Sequence, residues 1–246
     1  MAESVGKYTF LPWLRRGAGN WIEQADRFAA APAGITERAT VGVGVVLNGN
    51  GISKSFKLIG PGDIIGINPQ MIVRTSPRAW VTEFEPNLLA AIEFYDEDFL
   101  WRFTPAKPVG EKLSPWLALV VLKAADGDRK GEFEQSGARG LIPSIKVAQA
   151  SVLPPLSGNW MMGHAHINEG HADPSEFEKF IESLEGPDAR WADSTICRLV
   201  SARRLEANTL YHAFVVPAFE TGRLAGLGQD PSAVDAQAPA WTNGGV

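Results

Sequence analysis

The run Glu83-Phe84-Glu85-Pro86, followed by Phe94-Tyr95-Asp96-Glu97-Asp98-Phe99-Leu100-Trp101-Arg102-Phe103-Thr104-Pro105 and Pro115-Trp116-Leu117-Ala118-Leu119-Val120-Val121-Leu122-Lys123, decides the fold class. Aromatic and branched apolar residues, cut into short runs by prolines and acidic turns, are the raw material of β-strands. Residues 88–95 and 116–123 are predicted to form a central sheet, with 96–105 as an ordered connection across its end. The same pattern continues on either side. Thr40-Val41-Gly42-Val43-Gly44-Val45-Val46-Leu47 and Ile52-Ser53-Lys54-Ser55-Phe56-Lys57-Leu58 flank Asn48-Gly49, the dipeptide that supplies positive φ angles to a tight hairpin turn. Alternation in the second arm puts Ile52, Phe56 and Leu58 on one face and Ser53, Ser55 and Lys57 towards water.

Further strand candidates are residues 64–67, 71–74, 141–147, 195–200 and 210–217, each bounded by turn residues. Two segments read as helix. Asn20 caps residues 21–31, and Asp173 with Pro174 opens a helix near 174–185 whose Phe177, Phe180, Ile181 and Leu184 share a face. The expected fold is therefore mainly β (α+β): antiparallel sheets, sandwich- or barrel-like, with one N-terminal helix and one near 174–185. Residues 1–228 form one domain with an N-terminal arm at 1–19, and 229–246 read as a flexible tail. Within 205–214, Tyr211 follows a tight turn, an arrangement in which its hydroxyl folds back on the backbone upstream as a tyrosine corner.

With 246 residues, 45% hydrophobic and 21% charged, the chain has material for a sizeable core. Its net charge of −5 argues against general affinity for nucleic acid or anionic membrane. Cys197 is the only cysteine, so an internal disulfide is impossible, and its apolar neighbours make it a buried residue. No apolar run approaches the length of a membrane span, so membrane insertion is not expected. The predicted location is the cytoplasm, or a particle assembled there.

Chemistry is sparse. His164-Ala165-His166 on a strand places two imidazoles on one face, a spacing that suits zinc or iron, and His171, Glu169 or Asp173 could supply a third ligand. The plainer reading is a polar stretch before a helix. Glu83, Glu85, Glu93, Asp96, Glu97 and Asp98 include enough carboxylates for glycoside hydrolysis, with Trp101 and Trp116 to stack on sugars, if two of them face each other across a cleft. Phosphate loops, nucleophile elbows and zinc-protease helices have no match.

Tyr8-Thr9-Phe10-Leu11-Pro12-Trp13-Leu14-Arg15-Arg16-Gly17, Gly60-Pro61-Gly62-Asp63, the 99–105 segment, Pro115-Trp116-Leu117 and residues 205–219 together resemble a poorly characterised group of bacterial β-rich proteins associated with phage-tail-like contractile injection particles. The resemblance implies a non-enzymatic structural or adaptor role, other protein subunits as partners, and no cofactor. Trp13, Arg15, Arg16, Asp96, Asp98 and Trp101 are then the candidate interaction residues. The alternatives are a metal-dependent hydrolase or oxygenase at the histidines, with zinc or iron as cofactor, and a carbohydrate- or peptide-binding module at the tryptophans.

Overall fold

The structure is a computed structural model that describes residues 40–57, 59–106, 112–136, 143–167 and 195–242. The N-terminal arm, both predicted helices, Trp13, Arg15, Arg16, Glu169, His171 and Asp173 lie outside the described residues. Ten strands appear among those described, all paired antiparallel: β1 (Thr40–Leu47), β2 (Asn50–Lys57), β3 (Ile72–Ser76), β4 (Ala91–Tyr95), β5 (Leu117–Lys123), β6 (Phe133–Ser136), β7 (Ser144–Val147), β8 (Gly163–Ile167), β9 (Thr195–Val200) and β10 (Tyr211–Pro217). One helix, α1 (Glu220–Gly226), follows β10. The chain is mainly β, and among the described residues no sheet closes into a barrel.

The β1–β2 hairpin forms as the Asn-Gly turn dictates, with Asn48 and Gly49 at positive φ. It is a two-stranded sheet of its own, and Val46 and Ile52 are exposed. Residues 64–67 are not a strand. Ile64 and Ile67 lean on the core while Ile65 and Gly66 are exposed, a three-residue spacing that departs from the two-residue period of a strand.

Strands β4 and β5, predicted to share a sheet, lie in different ones. A four-stranded sheet runs in the order β3–β4–β9–β8, and among the described residues β5 pairs only with β10. The core explains the separation. Ile92 and Phe94 of β4 and Cys197 and Leu199 of β9 meet Leu117, Leu119 and Val121 of β5, so the two strands must face each other across a layer of side chains. Residues 96–104 cross between the layers. Phe99 stacks obliquely on Phe94 at 4.9 Å, and Phe99 and Phe103 meet Trp116 edge-on at 5.9 and 5.2 Å. The Trp116 backbone N–H donates to Leu100 O at 2.9 Å and its indole N–H to Phe99 O at 2.8 Å, which fixes the crossing to the start of β5.

Strand β5 is buried on both faces up to Lys123. Its β10 side is satisfied by the ladder, whereas its other edge meets side chains. Asn159 Nδ2 donates to Leu117 O at 3.0 Å, Arg203 donates to Val121 O at 3.1 Å, and Glu132 accepts from the Lys123 N–H at 2.8 Å. Arg203 and Glu132 are themselves ion-paired. Beside them the tyrosine corner forms as expected: Tyr211 Oη accepts the Glu206 N–H at 3.0 Å, and the Arg203 guanidinium lies 5.4 Å from the Tyr211 ring centre.

Two glycines permit close approach. A Cβ on Gly163 would fall 2.7 Å from Pro115 Cγ and 3.1 Å from the Trp101 ring, so β8 rests its backbone directly on the residues leading into β5. One on Gly222 would fall 2.7 Å from Pro217 Cβ and 3.0 Å from Pro61 Cβ, where α1 packs on the one-turn helix Pro61–Asp63. The segment read from sequence as a flexible tail continues into ordered contacts: Ala240 N–H donates to Ala218 O, Glu220 N–H to Ala238 O, and the Trp241 indole to Pro154 O at 2.8 Å. Trp241 packs against the core, so apolar burial offsets the low-complexity composition around it.

Replacing Asn159 with alanine leaves the buried Leu117 carbonyl without its donor. Urea unfolding is expected to show a loss of about 1–3 kcal/mol, against about 1 kcal/mol for Tyr211→Phe at the more exposed corner.

Candidate functional site

The histidine pair sits on β8, an edge strand of the four-stranded sheet. Side chains on a strand alternate, so His164 and His166 share a face, with ring centres 6.1 Å apart. Register with β9 sets His164 beside Arg198 and His166 beside Ile196. Arg198 in turn pairs with Glu93 on β4, and Glu93 with Arg74 on β3. One row therefore crosses the whole sheet as Arg74, Glu93, Arg198, His164.

Glu93 is only 3% exposed although it lies on the face opposite Ile92 and Phe94. Its carboxylate is held from both sides. Arg74 Nε lies 2.5 Å from Oε2, Arg198 Nε donates to Oε1 at 2.8 Å, and the Arg198 Nη2 also bonds to Oε1. Burial works against its charge, but hydrogen bonds and attraction from Arg74 and Arg198 prevail and hold the carboxyl below its ordinary range. A general acid for glycoside hydrolysis needs the opposite shift.

His166 is different. Its Nε2 is shielded from solvent and has no hydrogen-bond partner. Burial first, then the positive charge of Arg198 and the nearby His164, pushes its pKa down. Among the described residues no three His, Cys, Asp or Glu side chains converge as a metal site would require. Arg198 beside the pair also works against a bound cation.

The predicted interaction residues in the 96–104 crossing are engaged internally. Buried Asp98 pairs with Arg102 at 2.5 Å, Asp96 meets the same guanidinium at 2.8 Å, and Arg102 lies over Phe99. The Trp101 indole donates to Leu113 O at 2.9 Å and the ring packs against the core. Trp116 is buried outright. The tryptophans expected to line a sugar-binding groove are thus core and near-core residues. Cys197 is also buried, which raises its thiol to about 12 and leaves no nucleophile at neutral pH.

A different surface emerges at the other edge of the sheet. Every residue of β3 is exposed, and the connection from β3 to β4 carries exposed Val81, Leu88 and Leu89. Trp80 in that connection is 92% exposed. The turn closed by Val81 N–H to Arg78 O at 3.2 Å holds Trp80 at φ +66°, where glycine is usual and a bulky residue costs roughly 1–2 kcal/mol. The only cue to it in the sequence was an isolated Trp between Pro77 and Pro86, with no apolar periodicity to bury it. Arg74, Glu93 and Arg198 were not legible as a group, because only strand register brings them together.

Comparison with known proteins returned no matching family model, no matching curated protein and no matching solved structure.

Two measurements check this geometry. A thiol reagent is expected to leave Cys197 unlabelled in the native chain and to label it on unfolding in urea. Because folding lowers the pKa of His166, its contribution to stability is complete above its ordinary value of 6.5 and is lost as pH falls through the lowered folded value. The lowered pKa values of Glu93 and Glu132, ordinarily 4.5, place a second loss at more acid pH. Urea midpoints recorded against pH should show both limbs, and His166→Gln should remove the upper one.

Proposed function

We propose that this chain is a non-enzymatic structural or adaptor component of a multi-protein assembly, and that it joins another protein subunit through β3 and the β3–β4 connection. The observation that carries the reading is Trp80, an aromatic side chain almost wholly in water and set on a strained backbone. Folding alone gains nothing from that position. Tryptophan is the commonest anchor residue of protein interfaces, where burying one ring contributes a large share of the binding energy. Ile72 and Val73 on β3 and Val81, Leu88 and Leu89 in the connection add exposed apolar surface to that anchor, and Arg74 on β3 adds a charge.

The likeness to β-rich proteins of contractile injection particles favours an assembly of phage-tail-like kind in the cytoplasm. No helix among the described residues is long and apolar enough to cross a membrane. Of the carboxylates suited to hydrolysis, Glu93, Asp96 and Asp98 are ion-paired with arginines and Glu85 is held by Asn87 at 2.7 Å, which speaks against those four as an acid–base pair.

Light scattering coupled to size-exclusion chromatography, on the chain alone and mixed with the proteins encoded beside it, tests the proposal. A defined complex is expected. Trp80→Gly should weaken that complex about 30-fold or more while stability stays within about 1 kcal/mol, since relief of the positive φ offsets the added freedom of glycine. A chain that remains monomeric in every mixture would sink the reading.

A further inference from the structure

We propose that the outer face of the four-stranded sheet, along the row Arg74–Glu93–Arg198–His164 with His166 beside it, binds an acidic extended segment of the partner protein. This rests on the assembly reading and names the chemistry of the partner.

The charge balance is the first argument. Two guanidiniums converge on one carboxylate, so the row keeps a positive charge unbalanced before either histidine is counted. The other residues that register sets on this face are Ser76, Ala91, Tyr95, Val200 and Ile196, none of them acidic. The whole chain carries −5, so among the described residues this face is a local reversal of sign. An acidic partner is repelled elsewhere and attracted here, which orients the encounter.

Accessibility is the second. Arg74 has 59% and Arg198 32% of its side chain exposed, and His164 is exposed, so their outward N–H groups face solvent while Glu93 is buried beneath.

Size decides among anions. Four strands set the row at about 14 Å, longer than one phosphate or carboxylate and about the length of four extended residues. A nucleic acid would need a basic stripe several phosphates long on a chain without net negative charge. A divalent cation would meet Arg198. The partner that fits is a peptide segment with carboxylates on one side and small polar residues between them.

The probe is a blocked hexapeptide alternating threonine and glutamate, with the threonine–lysine hexapeptide and inorganic phosphate as controls. It is titrated into the full chain while the imidazole nitrogen resonances are followed by NMR. The glutamate peptide is expected to shift the His164 and His166 signals and the lysine peptide to leave them in place. Arg74→Gln and His164→Gln, each checked for native near-ultraviolet circular dichroism, should each weaken binding about tenfold, as loss of a charged hydrogen bond predicts. The proposal is overturned by unmoved signals, by an equal effect of the lysine peptide, by phosphate binding as tightly as the peptide, or by both substitutions leaving the affinity intact. A chain that forms the Trp80-dependent complex yet ignores the glutamate peptide overturns this inference alone. Peptide binding by a chain that joins no subunit overturns the assembly reading alone.

Discussion

A strand buried on both faces has no water to satisfy its backbone, so every polar group it turns away from its one neighbouring strand needs a partner from elsewhere. Strand β5 is that strand, and its requirement organises the molecule. Asn159, Glu132 and Arg203 come from three separate parts of the chain to close its far edge. Each is then fixed in turn. Glu132 and Arg203 hold each other, Arg203 lies on Tyr211, and Tyr211 pins the turn that leads into β10. At Leu117, Val121 and Lys123 side chains thus meet backbone groups that another strand would have paired.

The four-stranded sheet answers the same demand differently. Its inner face is apolar and joins β5 in the core, whereas its outer face carries ion-paired side chains on β3, β4 and β9 and two imidazoles on β8. Buried Glu93 with two guanidiniums is costly to desolvate, and a well-packed apolar substitute would serve stability as well. What the triad adds is register. Sliding β3 or β9 by one residue would turn an arginine into the core and strand the carboxylate.

Strands whose residues are bulky and branched were legible in the sequence: β4, β5, β9, β10 and the Asn-Gly hairpin. Local strings were legible too, as the Tyr211 corner shows. Strand β8 was harder, because Gly163, His164 and Ala165 have little strand preference and the segment is held by its neighbour and by close packing. Helix α1 carries Thr221, Gly222 and Gly226 and exists because it packs on Pro61–Asp63. The histidine pair could be read from its spacing. Its arginine neighbour could not, since Arg198 is 34 positions from His164 in the chain and adjacent only by pairing. The sharing of a sheet by β4 and β5 was misjudged for a related reason: apolar pattern shows that two strands are buried and is silent on whether they lie side by side or face to face.

The bare backbone of β8 against Pro115 and Trp101 has a mechanical consequence. A force applied along β8 would load the β8–β9 hydrogen bonds in shear, together rather than one after another. The same contact would pass that force into the Trp116 anchor and so into β5. Tension at this edge would be spread over the interior before any single bond could peel.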